Sequence, residues 1–557
     1  MQTRFFSQLC LAVTAMVILA SCGSKTNTQG KLIPKDAAIV VHLNGESLNA
    51  KLPWDEIKTN PLFQQVSADS TTPPVIKKTL NDPDNSGIDI KKDLVFFMLQ
   101  DSSGSYIGIE GSIKDAAKFK AFNIEASGGG SEAQDGDQSY ISNAPVAVGW
   151  NKDKFVYIIN TPEHSANYYS DNGSAGNISP RDIGATCKNI FALKADNSLG
   201  NSEKFSTLMN EKGDVHFWMN TEQIQKATGA AAAMPMMNLQ SLYEGSFTTA
   251  TANFDNGKIT IDAKSYAGKE MGDLWKKYNG NKIDEEMIKR IPAKDIAAVF
   301  ALNFKPEGIK EFVKVLGIEA YVNLGLAFAG FTLDDFVKAN KGDILIALTD
   351  IKTVTDSVPS FLEPNKKELS TKTEPEFLFA AAVGDKSSFN QLIKAGEKLG
   401  KDKGANLPVT YSMGEKYFAI GNSKENNDKY IAGGSNNNFD FIDKINGEPM
   451  GGYINFQYIF KAVANEVKKD SSSIAIFDAS AKFWDNAFFK GGNYTDGGLT
   501  QKIEINLVDK NTNSLKQLNQ YLGKVGQIMK EQEKQYRTRN VDVMADTTVV
   551  MPPVKKH

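Results

Sequence analysis

Short apolar runs with a period of two alternate along the chain with stretches of helical spacing, and turn residues separate them. Residues 33–44, IPKDAAIVVHLN, and residues 291–303, IPAKDIAAVFALN, share one pattern. Each places proline and aspartate before an apolar strand that ends in Leu-Asn, and each is followed by a helical pattern. Later blocks recur in the same order. KKDLVFFML with YIGIEGSIKDAAKFKAF corresponds to KGDILIAL with FLFAAAVGDKSSFNQLI, and DKFVYIINTPE to EKYFAIGNSKE. FWMNTEQI then corresponds to GYINFQYI, and FTTATANFDNGKITIDAKSY to FFKGGNYTDGGLTQKIEINL. Five blocks in one order imply tandem homologous modules.

Local chemistry fits that organisation. Asn44, Asn303, Asn220 and Asn455 each close a strand before a helical pattern, where an asparagine side chain accepts from the free amides of the first turn. Thr161-Pro162-Glu163 reads as a cap followed by proline at the first helical position. Asn256-Gly257 and Asp496-Gly497-Gly498 supply the positive backbone angles of tight hairpins. Short hairpins and few crossovers predict an α+β fold of two modules, each a largely antiparallel sheet with packed helices. The first is placed at residues 31–282 and the second at 287–526. Residues 527–557, polar and then proline-containing, read as a C-terminal tail.

The N-terminus changes the picture of where such a body works. Met1 to Arg4 carries one basic residue, and Phe5 to Ala20 is apolar but too short for a membrane span. The stretch ends in Leu19-Ala20-Ser21-Cys22, which resembles the lipobox of bacterial lipoproteins. That resemblance implies a signal peptide over residues 1–21, recognition of Leu19, Ala20 and Ser21 by the lipoprotein signal peptidase, and lipidation of Cys22 with acyl chains such as palmitate. Residues 22–30 then form a tether, of which Gly23 to Gly30 span at most about 26 to 29 Å when fully extended.

Composition excludes more than it selects. With 63 basic and 66 acidic residues the net charge is −3, so no basic field advertises nucleic acid. Cys10 leaves with the signal and Cys22 is modified, which leaves Cys187 as the one mature thiol and excludes an intramolecular disulfide. Its apolar surroundings in IGATCKNIFAL mark Cys187 as a buried small hydrophobe rather than a nucleophile.

Candidate chemistry is sparse. Asp82-Pro83-Asp84-Asn85-Ser86-Gly87 resembles the start of a calcium loop, but the twelfth position holds Asp93 in place of glutamate, which favours a polar turn. His42 and His216 fall inside apolar strands, and His164 follows a helix start, so none builds a zinc motif. Nucleophile-elbow and phosphate-binding patterns are missing, and Gly128-Gly129-Gly130 reads as a flexible connection. No catalytic residue, cofactor or metal is therefore assigned. Two irregularities stand out: a connection of residues 350–376, expected as a disordered or passively packed loop, and the methionine-rich run 227–243, expected as a helix packed into its own module.

The lipobox, the opening LIPKDAAIVVHLNGESL and the turn Ser86 to Asp89 together resemble an uncharacterised family of Bacteroidota envelope lipoproteins with a domain of unknown function. The resemblance implies a cell-envelope protein anchored to a membrane through Cys22. No acidic residue precedes Asp36, which favours an outer-membrane protein facing the periplasm. The leading expectation is a non-enzymatic binding or scaffolding protein with an envelope protein or glycan as partner. The alternatives are a hydrolase of cell-wall or polysaccharide substrates in a cleft between modules, and a carrier of an apolar ligand.

Overall fold

The computed structural model describes residues 30–70, 72–101, 103–161, 181–228, 237–359, 367–402, 409–467 and 473–546. Among them the alternating segments form one sheet of 18 strands with every pairing antiparallel. The first half supplies β1 (Ile39–Leu43), β2 (Leu94–Asp101), β3 (Gly104–Ser112), β4 (Ala133–Asp135), β5 (Gln138–Asn143), β6 (Val146–Trp150), β7 (Lys154–Asn160), β8 (Val215–Asn220), β9 (Phe247–Asp255) and β10 (Lys258–Tyr266). The second supplies β11 (Ile296–Asn303), β12 (Asn340–Pro359), β13 (Lys367–Val383), β14 (Thr410–Met413), β15 (Tyr417–Gly421), β16 (Met450–Asn455), β17 (Trp484–Thr495) and β18 (Gly498–Leu507). Helices pack on both faces, so the fold is α+β as expected.

From edge to edge the strands run β4, β5, β6, β7, β3, β2, β1, β8, β9, β10, β18, β17, β16, β11, β12, β13, β15, β14. Read outward from the middle, the two halves present the same connectivity, except that β4 and β5 have no counterpart. They meet at β10 and β18, which pair over nine residues from Lys258 opposite Asn506 to Tyr266 opposite Gly498. A continuous ladder therefore joins the two halves.

Because side chains alternate between faces, this register assigns a side to every central position. One row of directly opposed residues runs His42, His216, Thr251, Asp262, Lys502, Lys490, Gly451, Ala301. The next row, on the other face, contains Ala252, Ile261, Ile503, Phe489, Gly452 and Phe300. The junction therefore has a polar side, with Lys502 paired to Asp262 and Lys258 to Glu504, and an apolar side.

The turns follow their residues. Gly257 (φ 68°) closes the β9–β10 hairpin, and Asp496 (φ 46°) with Gly497 (φ 85°) closes β17–β18. Among the described residues, the connection of residues 350–376 is ribbon rather than loop. Lys352 to Pro359 pair with Glu374 to Lys367, so β12 and β13 continue as a two-stranded ribbon beyond an irregularity near Asp350, whose φ is 36°. Alternating polar and β-branched residues such as Thr353, Val354 and Thr355 suit a ribbon.

The C-terminal helix, Ser514–Asp546, also runs well past residue 526. It returns to the first half, where Leu515 joins Leu43, Leu48 and Phe63 in one core. Asn60 donates to Asn519 at 2.7 Å, and Gly526 lets Leu62 approach where a Cβ would stand 2.1 Å from its Cδ2. Reciprocally, the segment after β10 reaches the second half: Asn281 N donates to Asn303 Oδ1 at 2.6 Å, and Tyr278 lies against Gly308. Asn60 also caps its own helix, Pro61–Ala68, by accepting from Leu62 N. Asn60→Ala is expected to lower unfolding free energy by about 2 kcal/mol, from a lost cap and lost inter-element bonds, with an unchanged dependence on urea. Urea melts of the two proteins check this.

Candidate functional site

Two places concentrate unusual chemistry, one polar and one apolar. The polar one begins with Asn44, whose side chain accepts from Ser47 N at 3.2 Å and caps the helix Gly45–Lys51. Ser47 and Lys51, one turn apart, face the same way and both reach Asp214 just before β8. Asp214 is buried and accepts from Lys51 Nζ at 2.6 Å, from Phe254 N at 2.6 Å and from Ser47 Oγ. A buried carboxylate survives only with such compensation.

Beside it, His42 on β1 and His216 on β8 stand directly opposite, with Nδ1 atoms 2.9 Å apart and both rings buried. His216 Nε2 lies 3.0 Å from the Glu211 carbonyl, which can only accept, so Nε2 carries the proton and Nδ1 of the neutral ring accepts from His42. On its far side His42 Nε2 approaches Asp93 Oδ2 at 3.2 Å, off the line of a hydrogen bond. Burial, helped by the neighbouring His42 ring, pushes His216 down to about 4. The equivalent crossing in the second half is Ala301 opposite Gly451, and Pro449 occupies the place of Asp214: its carbonyl receives Asn303 N as the Asp214 carbonyl receives Asn44 N. The polar cluster thus belongs to one half alone.

The apolar place is a groove of about 500 Å³ on the other face of the sheet. Its floor is Ile454, Ala487, Phe489, Ile503 and Ile505 from β16, β17 and β18, and its walls include Phe456 and Phe460 of the helix Phe456–Val467. Ser480 on the helix Ile474–Ala481 also lines it, but its hydroxyl is engaged with the Ile476 carbonyl and the Tyr521 hydroxyl. The volume falls within the range of small-molecule sites, and the lining is suited to binding rather than to proton transfer.

Residue by residue, the sequence expectations fare unevenly. Cys22, Leu19, Ala20 and Ser21 lie outside the described residues, as do His164, Pro162 and residues 229–236 of the run 227–243. Asn44, Asn220 and Asn455 cap helices as expected, Asn220 accepting from Gln223 N and Asn455 from Tyr458 N. Asn303 does not: its helix starts later, after Pro306, and its amide instead donates to Asp343 at 2.7 Å. Cys187 is fully buried and its thiol is pushed up to about 12 by burial, so it packs as a hydrophobe. Residues 82–87 form a polar turn with Asp84 paired to Lys114 and Gly87 at φ 71°.

The His42–His216 pair escaped the sequence because its members are 174 positions apart, and the groove escaped because three strands share its floor. The repeat did hold a signal: aligned on Asn44 and Asn303, His42 falls opposite Ala301, the kind of polar-for-apolar exchange that flags a half-specific feature.

A family model for a domain of unknown function, DUF4836, matches residues 30–407, more than half of the chain. The chain belongs to the DUF4836 family. The matched region contains the polar cluster, whereas the groove strands β16 to β18 lie beyond it. No curated protein matches the chain. Two crystal structures of TP0453, crystal forms IV and I, resemble this DUF4836 protein at 10% identity and a TM-score of 0.25. They cover 42% and 43% of this chain and 79% and 78% of their own, a likeness too distant to carry an argument.

With His216 depressed to about 4 in the fold and ordinarily near 6.5, the unfolded chain binds a proton that the fold refuses between those values. Stability should therefore fall as pH drops from 6.5 towards 4, by roughly 3 kcal/mol in all. His216→Gln should flatten that slope between pH 6.5 and 4.5. Thermal melts across the interval check it, and an unchanged slope would remove His216 from the account.

Proposed function

We propose that this DUF4836 protein is a lipid-anchored, non-enzymatic binding protein of the cell envelope, and that its groove receives an apolar group of an envelope component. The groove itself carries this reading: ten lining residues, nine of them apolar or aromatic, leave about 500 Å³ for a ligand and offer one hydroxyl that is already satisfied. An acyl chain matches that chemistry. Support for the anchor comes from the lipobox Leu19-Ala20-Ser21-Cys22, and support for a Bacteroidota envelope lipoprotein, facing the periplasm from the outer membrane, comes from the same N-terminal residues. We also read the matching strand orders as tandem duplication, after which each half specialised: polar burial in the first, an apolar groove in the second.

Two experiments bear on the proposal. Cys22→Ala should shift the protein from the membrane to the soluble fraction and abolish palmitate labelling; retention on the membrane with label intact would refute the anchor. Ala487→Trp should fill the groove and weaken binding of an apolar fluorescent probe such as phenylnaphthylamine by roughly tenfold or more, the worth of one displaced side-chain-sized apolar contact. Fatty acid should displace the probe from the unaltered protein. Unchanged probe affinity in a variant that melts normally would move the binding site elsewhere.

A further inference from the structure

The helix Glu319–Phe328 is held at its ends and left open along its body. Leu316 before it and Phe331 after it are buried, while Gly317 (φ 70°) and Gly330 (φ 73°) turn the chain outward between them. No residue of the helix itself is buried. Tyr321, Leu324 and Phe328, spaced to share one face, are 55%, 58% and 73% exposed. No charge interrupts the sequence from Ala320 to Phe331. A soluble surface does not ordinarily display such a face without a partner.

The course of the chain indicates the partner. The first described residue is Gly30, and seven residues, a span of at most about 26 to 29 Å from Cα to Cα, separate it from Cys22. A series of contacts runs from Ala38, eight residues after Gly30, to the segment just before the helix. Ala38 accepts from Asn220 N; Thr221 N donates to Ser246; Ser246 donates to the Tyr243 carbonyl; and Ser241, two residues before Tyr243, donates to Val315 just ahead of Gly317. Asn238 N also donates to the Leu316 carbonyl at 2.9 Å. At the other end of the helix Lys398 donates to the Phe328 carbonyl at 2.9 Å, which puts a cationic side chain at the edge of the apolar face, and Lys394 is exposed one turn earlier on the helix that carries Lys398.

We infer that the Tyr321, Leu324 and Phe328 face rests in the lipid surface to which the N-terminus is tethered, forming a second contact that orients the body on the membrane. The occupant is a bilayer: its acyl region takes the aromatic and leucine side chains, and its headgroup phosphates meet Lys394 and Lys398. The choice of occupant rests on the anchor reading above. One lipid contact by itself binds reversibly, and a second one adds to it through high local concentration.

The test removes the dependence on lipidation. The chain from Gly23 onward, which retains every described residue, is given a polyhistidine tag in place of Cys22 and held on phosphatidylethanolamine–phosphatidylglycerol vesicles by nickel-chelating lipid. Leu324→Cys carries a polarity-sensitive NBD label, Asn511→Cys on the exposed segment after β18 carries the control, and buried Cys187 does not react. The expected result is a blue shift on vesicle capture and quenching by nitroxide lipids at residue 324, with neither at 511. Leu324→Glu with Phe328→Glu should weaken vesicle binding of the untagged chain by roughly tenfold or more. A solvent-like label on captured protein overturns the inference. So does a blue shift in solution that grows with protein concentration, which would assign the face to a second copy. Neither outcome touches the Cys22→Ala fractionation, so this idea and the anchor fail separately.

Discussion

The antiparallel ladder between β10 and β18 is the constraint from which the rest of the molecule follows. Nine residue pairs fix one register, and a slip of a single residue would turn every side chain of one half to the wrong face. In the observed register Ile259 meets Ile505 and Ile261 meets Ile503 on one face, while Asp262 meets Lys502 and Lys258 lies within 3.2 Å of Glu504 on the other. Exposed ion pairs of this kind contribute at most about 1 kcal/mol each. Their value is in choosing the face, since an apolar side exists only where the polar side is satisfied.

Helices lock what the ladder aligns. The segment after β10 inserts Asn281 and Tyr278 into the second half, and the helix after β18 returns Leu515 and Asn519 to the first. Each half thus completes the core or the hydrogen bonding of the other. The same exchange brings Tyr521 to the groove, where it stacks on Phe483 at 4.4 Å and bonds Ser480. The binding surface proposed for the second half is therefore built partly by a helix that is anchored on the first.

Features set by neighbours in sequence were legible, and those set by distant strands were not. Asn44, Asn220 and Asn455 could be read as caps because a cap is settled within three residues. Asn303 misled because Pro306 delays its helix, freeing the amide for Asp343, forty positions away. Residues 350–376 read as a loop because the matching connection of the first half is a short turn, although the described residues pair as a ribbon in which Pro359 sits at the last described pair, where a missing donor costs little. The paired blocks gave the α+β class and the order of elements. Nothing in them specified that the two central hairpins would join edge to edge, since edge pairing depends on backbone groups that every sequence carries.

The functional reading follows from that architecture: a buried polar cluster between β1 and β8, an open apolar groove at β16 to β18, and an exposed helix, Glu319–Phe328. The groove, whose floor includes Ile503 and Ile505 of β18, requires the sheet to behave as one unit. Hydrogen exchange at the amides of β10 and β18 measures this most directly. If the ladder unites the halves, the paired amides from Ile259 to Ala263 and from Gln501 to Ile505 exchange only through global unfolding, in a single cooperative transition. Exchange of those amides at a lower free energy, while the outer strands of both halves stay protected, would show two independent bodies and contradict the account.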